Sequence, residues 1–171
     1  MPAYRTVNLS DAALKSLVGV AIAGGAVLPL APSLAQAASV RKEFVIEAPP
    51  EFVWDALRDF GALHTRLARG FVSNTRIDGD ARLVSFVNGL EAREVLVDLD
   101  DERMRLVYSA IGGRLTAHSA SAQLYPESPG RTRFVWTADF LPNELEPVIS
   151  SMMDDGVAAM KKTLEEDAAK R

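Results

Sequence analysis

From Gly70 to Leu141 the chain alternates apolar and polar residues with a period of two, in short runs separated by turn-forming residues. Successive side chains of a strand point to opposite faces, so this alternation predicts half-buried strands. Phe71 to Ile77 and Arg82 to Val87 are two of them, joined by the turn Asp78-Gly79-Asp80. Asn88-Gly89 is the strongest hairpin signal, because both residues tolerate positive φ. It leads into a strand from Leu90 to Leu99, with Val95, Val97 and Leu99 on one face. Asp100-Asp101-Glu102 turns the chain into Arg103 to Ile111, which aligns Met104, Leu106, Tyr108 and Ala110. Gly112-Gly113 turns it again into a strand from Arg114 to Tyr125. A loop at Pro126 to Gly130 precedes Thr132 to Leu141, where Phe134, Trp136, Ala138 and Phe140 share a face. The result is a meander of antiparallel strands with short connections.

The flanks read differently. Val40 to Glu47 mixes β-branched and charged residues and predicts a strand, stopped by Ala48-Pro49-Pro50-Glu51. Proline suits the first helical turn, and Phe52, Val53, Ala56, Leu57 and Phe60 then follow at helical spacing, with Gly61 as a stop. Ala62 to Arg69 predicts a second short helix. Beyond Pro142 a long helix runs from about Glu146 to Lys170, with Ile149, Met152, Met153, Gly156, Met160 and Leu164 as its apolar stripe. The order is strand, two short helices, six strands, long helix: an α+β domain. The apolar face of a curved sheet needs a cover, and this helix is the one long amphipathic element available. A sheet wrapped around a helix often keeps a cavity between them.

Composition narrows the chemistry. The 171 residues contain no cysteine and two histidines, His64 and His118, with a net charge of −4 and a pI near 5.2. Absent cysteine excludes disulfides, thiolate catalysis and Cys-type metal sites. The acidic balance argues against a nucleic-acid partner. There is no glycine-rich phosphate loop, no G-x-S-x-G elbow and no metal-ligand pair at helical spacing, so neither metal nor cofactor is expected. Asp98, Asp100 and Asp101 lack the glycine and distal glutamate of a calcium loop and read as a turn.

The first 37 residues stand apart. They carry Arg5, Asp11 and Lys15, and no charge lies between Ser16 and Leu34; Ala35-Gln36-Ala37 follows, then Ala38. A charged start, an apolar run and an Ala-x-Ala site describe a secretory signal peptide, with cleavage expected after Ala37. Pro29, Pro32, Gly24 and Gly25 interrupt the run, which falls short of the ~20 apolar residues of a span. The expected product is a mature domain from 38 to 171, periplasmic or secreted, without a stable membrane anchor. Its oligomeric state is not readable from the pattern.

The run Val45-Ile46-Glu47-Ala48-Pro49-Pro50-Glu51-Phe52-Val53-Trp54-Asp55-Ala56-Leu57-Arg58-Asp59-Phe60 resembles the opening of the START-like (SRPBCC) superfamily, nearest to its polyketide cyclase/dehydrase and lipid-transport branch. Leu106-Val107-Tyr108, Thr132-Arg133 with Trp136, and the final helix with Gly156 extend the likeness over about residues 40 to 166. The resemblance implies the Bet v 1-like helix-grip fold, a seven-stranded antiparallel sheet gripping the C-terminal helix over a ligand cavity. It implies ligands that are apolar or amphipathic: lipids, sterols, polyketides, plant hormones. Asn88 to Glu94 and Gly112 to Leu115 also look like the two loops over the cavity mouth in abscisic-acid-receptor-like members, although Glu91 stands where those have proline. Many bacterial relatives carry Trp-His-Pro after the second helix; here His64 lies slightly upstream, without the tryptophan and proline.

On this basis Phe86, Tyr108, His118, Trp136, Met152, Met153 and Gly156 are the candidate ligand-binding residues. Tyr108, His118 and Glu91 are the candidates for acid–base work. Strand sides are not fixed by sequence, so His118 faces either the cavity or solvent, and His64 is either at the cavity mouth or in an exposed loop. Glu91, Arg93 and Glu94 read as a charged rim beside the Asn-Gly turn, most of it simply solvated. The favoured function is an exported carrier of a small hydrophobic or amphipathic molecule. The alternatives are a cyclase- or dehydratase-like enzyme and an interaction module with a filled cavity. An ionisable pair converging inside the cavity would favour the enzyme; cavity volume separates the filled module from both.

Overall fold

A computed structural model describes residues 37–171; the expected signal peptide, save its last residue, lies outside them. Strand β1 (Ala38–Ile46) is followed by helix α1 (Pro50–Arg58) and a single π-helical turn (Leu63–Leu67). Six strands come next: β2 (Val72–Asp78), β3 (Ala81–Phe86), β4 (Glu91–Asp100), β5 (Arg105–Ile111), β6 (Ala117–Ser128) and β7 (Arg131–Leu141). A 3-10 turn (Asn143–Leu145) leads into helix α2 (Glu146–Ala168). All seven strands form one antiparallel sheet in the order β1-β7-β6-β5-β4-β3-β2. This is the helix-grip architecture. Among the described residues no helix is long and apolar enough to cross a membrane.

The period-two pattern sets the core. Leu106 and Tyr108 on β5, Ala120, Ala122 and Leu124 on β6, and Phe134, Ala138 and Phe140 on β7 are buried on the inner face. Helix α2 covers this face with Met153, Gly156, Met160, Thr163 and Leu164. Polar ties fix its position. Lys161 Nζ donates to the Val45 carbonyl at 2.7 Å. Arg69 grips the Asp167 carboxylate with two nitrogens, at 2.5 and 3.0 Å, and donates its backbone N–H to Thr163 Oγ1.

Two local features depart from the expected strands. The β3–β4 hairpin closes at Phe86 and Leu90, where the Phe86 N–H donates to the Leu90 carbonyl at 2.8 Å, with Gly89 at φ 86°. This is a three-residue loop with a left-handed glycine, not a two-residue Asn-Gly turn. A two-residue turn would pair Arg82 with Val95; the observed loop pairs Arg82 with Glu94. Farther along β4 the register shifts between Leu96 and Asp98, leaving Val97 as a bulge that is 61% exposed. Val95, Val97 and Leu99 therefore do not form one inner face. Ala92, Glu94 and Leu96 alternate on the inner side before the bulge, and Leu99 returns to the core after it, because one extra residue reverses the alternation. Asp100 and Asp101 do form a turn: Asp100 accepts the Arg103 N–H at 2.9 Å, and Asp101 accepts Trp54 Nε1 at 2.9 Å.

Candidate functional site

Between the inner face of the sheet, α2 and the π-helical turn lies a cavity of about 200 Å³. The sheet supplies Leu106, Ala122 and Phe134 to its wall, α2 supplies Ile149 and Met160, and the π-helical turn supplies Leu63 and Leu67. The cavity is not filled by side chains, which sets aside the interaction module with a closed core. Phe86, Tyr108, His118, Trp136, Met152, Met153 and Gly156 all border it. Glu91 does not: it lies exposed at the start of β4, its carboxylate taking a 3.3 Å hydrogen bond from Ser85 Oγ, which leaves it no role as an acid or base in the cavity. His64 sits half-buried in the π-helical turn and does not border the cavity, although Leu63 and Leu67 beside it do. Its Nδ1 is buried without a hydrogen-bond partner among the described residues.

One part of the wall is polar. Arg82 and Glu94 border the cavity as a buried ion pair, their side chains 5% and 9% exposed. Arg82 Nε and Nη2 both reach Glu94 Oε2, at 2.7 and 2.6 Å. Nη1 donates to the Phe60 carbonyl at 3.2 Å, and the guanidinium lies 4.0 Å from the Phe60 ring centre. Glu94 is thus not part of a solvated rim. The three-residue hairpin loop sets it opposite Arg82, and the strand alternation turns both inward. A buried charge needs such a partner, since removing one member of a buried pair typically costs ~3–5 kcal/mol.

His118 and Tyr108 stand on the same wall, their rings 5.9 Å apart. His118 Nδ1 accepts the backbone N–H of Ala110 at 2.9 Å. An Nδ1 that accepts carries no proton, so the neutral ring has its hydrogen on Nε2. Burial pushes the His118 pKa below its ordinary 6.5, against the opposing pull of Glu94 and Asp139. His118 is therefore a neutral hydrogen-bond donor at Nε2, with no free lone pair to act as a base. Tyr108 Oη accepts Trp136 Nε1–H at 3.1 Å. Burial, reinforced by Glu94, drives the Tyr108 pKa upward, so its hydroxyl keeps its proton and can offer it to a ligand acceptor. The cavity thus holds two neutral donors, one buried ion pair and an otherwise apolar lining.

Sequence reasoning placed Tyr108 and His118 among the candidates but passed over Arg82 and misassigned Glu94. The available signal was the pair itself: on adjacent strands, an arginine between two apolar residues in Ala81-Arg82-Leu83 and a glutamate that opens the apolar run Val95-Leu96. Without the hairpin register the two residues could not be brought together.

Residues 37–165 match the family model for polyketide cyclase / dehydrase and lipid transport. The chain belongs to this family and, with it, to the START-like (SRPBCC) superfamily. No curated protein matches its sequence. Among solved structures, a protein from Thermobifida fusca is 28% identical with a TM-score of 0.62, over 77% of this chain and 93% of that one. A Bacillus thuringiensis protein is 18% identical with a TM-score of 0.67, over 74% and 98%. Norcoclaurine synthase from Thalictrum flavum, in complex with dopamine and hydroxybenzaldehyde, is 16% identical with a TM-score of 0.64, over 91% and 98%. At such identities the last two show a shared fold alone.

Proposed function

We propose that this member of the polyketide cyclase / dehydrase and lipid transport family binds a small, mainly apolar molecule between its sheet and its C-terminal helix. The observation that carries this reading is the cavity of about 200 Å³ with its predominantly apolar wall. An apolar cavity of ~150 Å³ already takes up benzene, so one or two fused rings, or a short acyl segment, are of suitable size. Affinity comes from burial, about 25 cal/mol per Å² of apolar surface. The carrier is exported, with Ala38 as its first mature residue. Support for that boundary is the Ala35-Gln36-Ala37 site, with β1 and the family match beginning beside it.

The ion pair inside the cavity supports a second reading, an acid–base enzyme of the cyclase or dehydratase kind. Glu94 is then the candidate base, while His118 and Tyr108 donate hydrogen bonds to a substrate oxygen. Native mass spectrometry of the protein from its own host tests the binding reading: a co-purified small molecule is expected, and titration of the emptied protein with naphthalene should saturate at one equivalent. Failure of both would end it. Turnover of a carbonyl compound, lost in Glu94→Gln while naphthalene still binds, would move the assignment to the enzyme.

A further inference from the structure

The polar groups of the cavity stand in a row across the sheet. Arg82 on β3 lies opposite Glu94 on β4, Glu94 lies opposite Ala110 on β5, and Ala110 donates its N–H to His118 on β6. Directly opposed residues share a face of the sheet. Glu94 is paired with Ala110 across strands ~4.8 Å apart, and the His118 ring meets the Ala110 backbone from the other side. Between them Ala110, which borders the cavity, contributes only a methyl group. The row is a notch: Ala110 is its floor, a carboxylate is one wall and an imidazole is the other.

Each wall keeps one hydrogen-bonding function unused. Both Arg82 nitrogens engage Glu94 Oε2, and among the described residues Oε1 receives no hydrogen bond. His118 engages Ala110 through Nδ1, and among the described residues Nε2–H has no acceptor. Oε1 can only accept and Nε2–H can only donate. A group that satisfies both must donate on one side and accept on the other. A neutral hydroxyl does this with a single oxygen. A hydrocarbon leaves both walls unsatisfied in a low-dielectric site. A carboxylate sets a second anion against Oε1 and offers it no proton. An ammonium has no acceptor for Nε2–H and lies near the Arg82 charge.

We propose that Glu94, Ala110 and His118 form a hydroxyl-recognition notch, and that the ligand is a neutral molecule with an apolar ring system bearing a hydroxyl group. This rests on the reading of the cavity as a ligand site. The test is titration of the protein with three probes of one size: naphthalene, 2-naphthol and 2-naphthoate. A hydrogen bond to a charged group makes 2-naphthol bind roughly tenfold tighter than naphthalene or more, and 2-naphthoate binds weakest. Ala110→Val fills the notch while keeping the ion pair and both rings; it should reduce 2-naphthol to the level of naphthalene. The double change Arg82→Leu with Glu94→Leu, which leaves no buried charge unpaired, should bring 2-naphthol and naphthalene to equal affinity. Equal affinity for naphthalene and 2-naphthol, tightest binding of 2-naphthoate, or a preference that survives Ala110→Val would each overturn the notch while the cavity reading stands. No binding of any probe overturns the cavity reading itself.

Discussion

A Cβ placed on Gly156 would lie 2.9 Å from Cζ3 of the Trp136 ring and 3.2 Å from Cη2. Helix α2 can approach β7 this closely because residue 156 carries no side chain. Trp136 cannot simply swing aside, since its Nε1 is hydrogen bonded to Tyr108 Oη, and Phe71 closes the other side at 3.3 Å. Glycine within a helix costs ~1 kcal/mol relative to alanine, so its presence here reflects a need for space.

Gly156→Leu is accordingly expected to lower stability by ~1–3 kcal/mol through overpacking and to shrink the cavity. Gly156→Ala gains helix propensity but presses on the indole, and its effect should turn stabilising when combined with Trp136→Leu. Thermal melts of the two single variants and the double variant check this. An unchanged melting temperature in Gly156→Leu would show that helix and sheet are farther apart than described.

Much of this contact was legible in the sequence. Gly156 falls on the stripe of Met152, Met153 and Met160, and Trp136 on that of Phe134, Ala138 and Phe140, because long elements with a constant period announce their buried face. The polar wall was not legible. Glu94 stands beside a hairpin whose loop has three residues where Asn88-Gly89 signals two, and upstream of a bulge at Val97. Each irregularity shifts alternation by one residue, and with period two a shift of one exchanges inside for outside. The spacing of Val95, Val97 and Leu99 therefore suggests one continuous inner face, whereas Val97 bulges outward, Leu99 alone of the three returns to the core, and Glu94 takes the inner position before the bulge. Glu91, three residues nearer the turn, is the one that solvent receives.

The Arg69–Asp167 clamp gives a pH signature. Hydrogen bonds from Arg69 and Lys170 hold the Asp167 carboxyl at about 2, below its ordinary 3.8. A depressed carboxyl contributes stability that is complete above the unfolded value and is lost as the pH falls through the folded one. Asp167→Asn should therefore lower the melting temperature at pH 7, and the difference from the wild type should fade between about pH 4 and pH 2. Both side chains are about a third exposed, so added salt should also shrink the difference. A difference that persists at pH 2 would assign the loss to packing.

His118 should titrate below 6.5, with its proton on Nε2 at neutral pH. Protonating Nδ1 would set it against the Ala110 N–H and break their hydrogen bond. The unfolded chain takes up a proton near 6.5 and the folded chain only lower down. The histidine thus contributes stability in full above about pH 6.5, and that contribution falls as the solution is acidified. Imidazole nitrogen shifts across a pH series read both the tautomer and the midpoint. A midpoint above 6.5, or a proton on Nδ1 at pH 7, would remove His118 as the donor wall of the notch.

The apolar wall should respond in the opposite sense to the polar one. Met153 is buried and borders the cavity, whereas Met152 borders it while only half-buried. Met153→Ala removes buried atoms and adds their volume to an existing void, so the loss of stability should reach ~2–5 kcal/mol, with a smaller loss for Met152→Ala. The enlarged space should shift preference from naphthalene toward a three-ring hydrocarbon such as anthracene. His118→Ala and Tyr108→Phe each delete at most one hydrogen bond, ~0.5–1.5 kcal/mol, and neither faces a polar atom of naphthalene. Naphthalene should therefore bind both variants within a few-fold of the wild type, because burial and not hydrogen bonding supplies its affinity. Calorimetric titration of the four variants with the two hydrocarbons decides the matter. If Met153→Ala leaves the size preference unchanged while His118→Ala or Tyr108→Phe abolishes naphthalene binding, helix α2 is not the wall that the ligand touches.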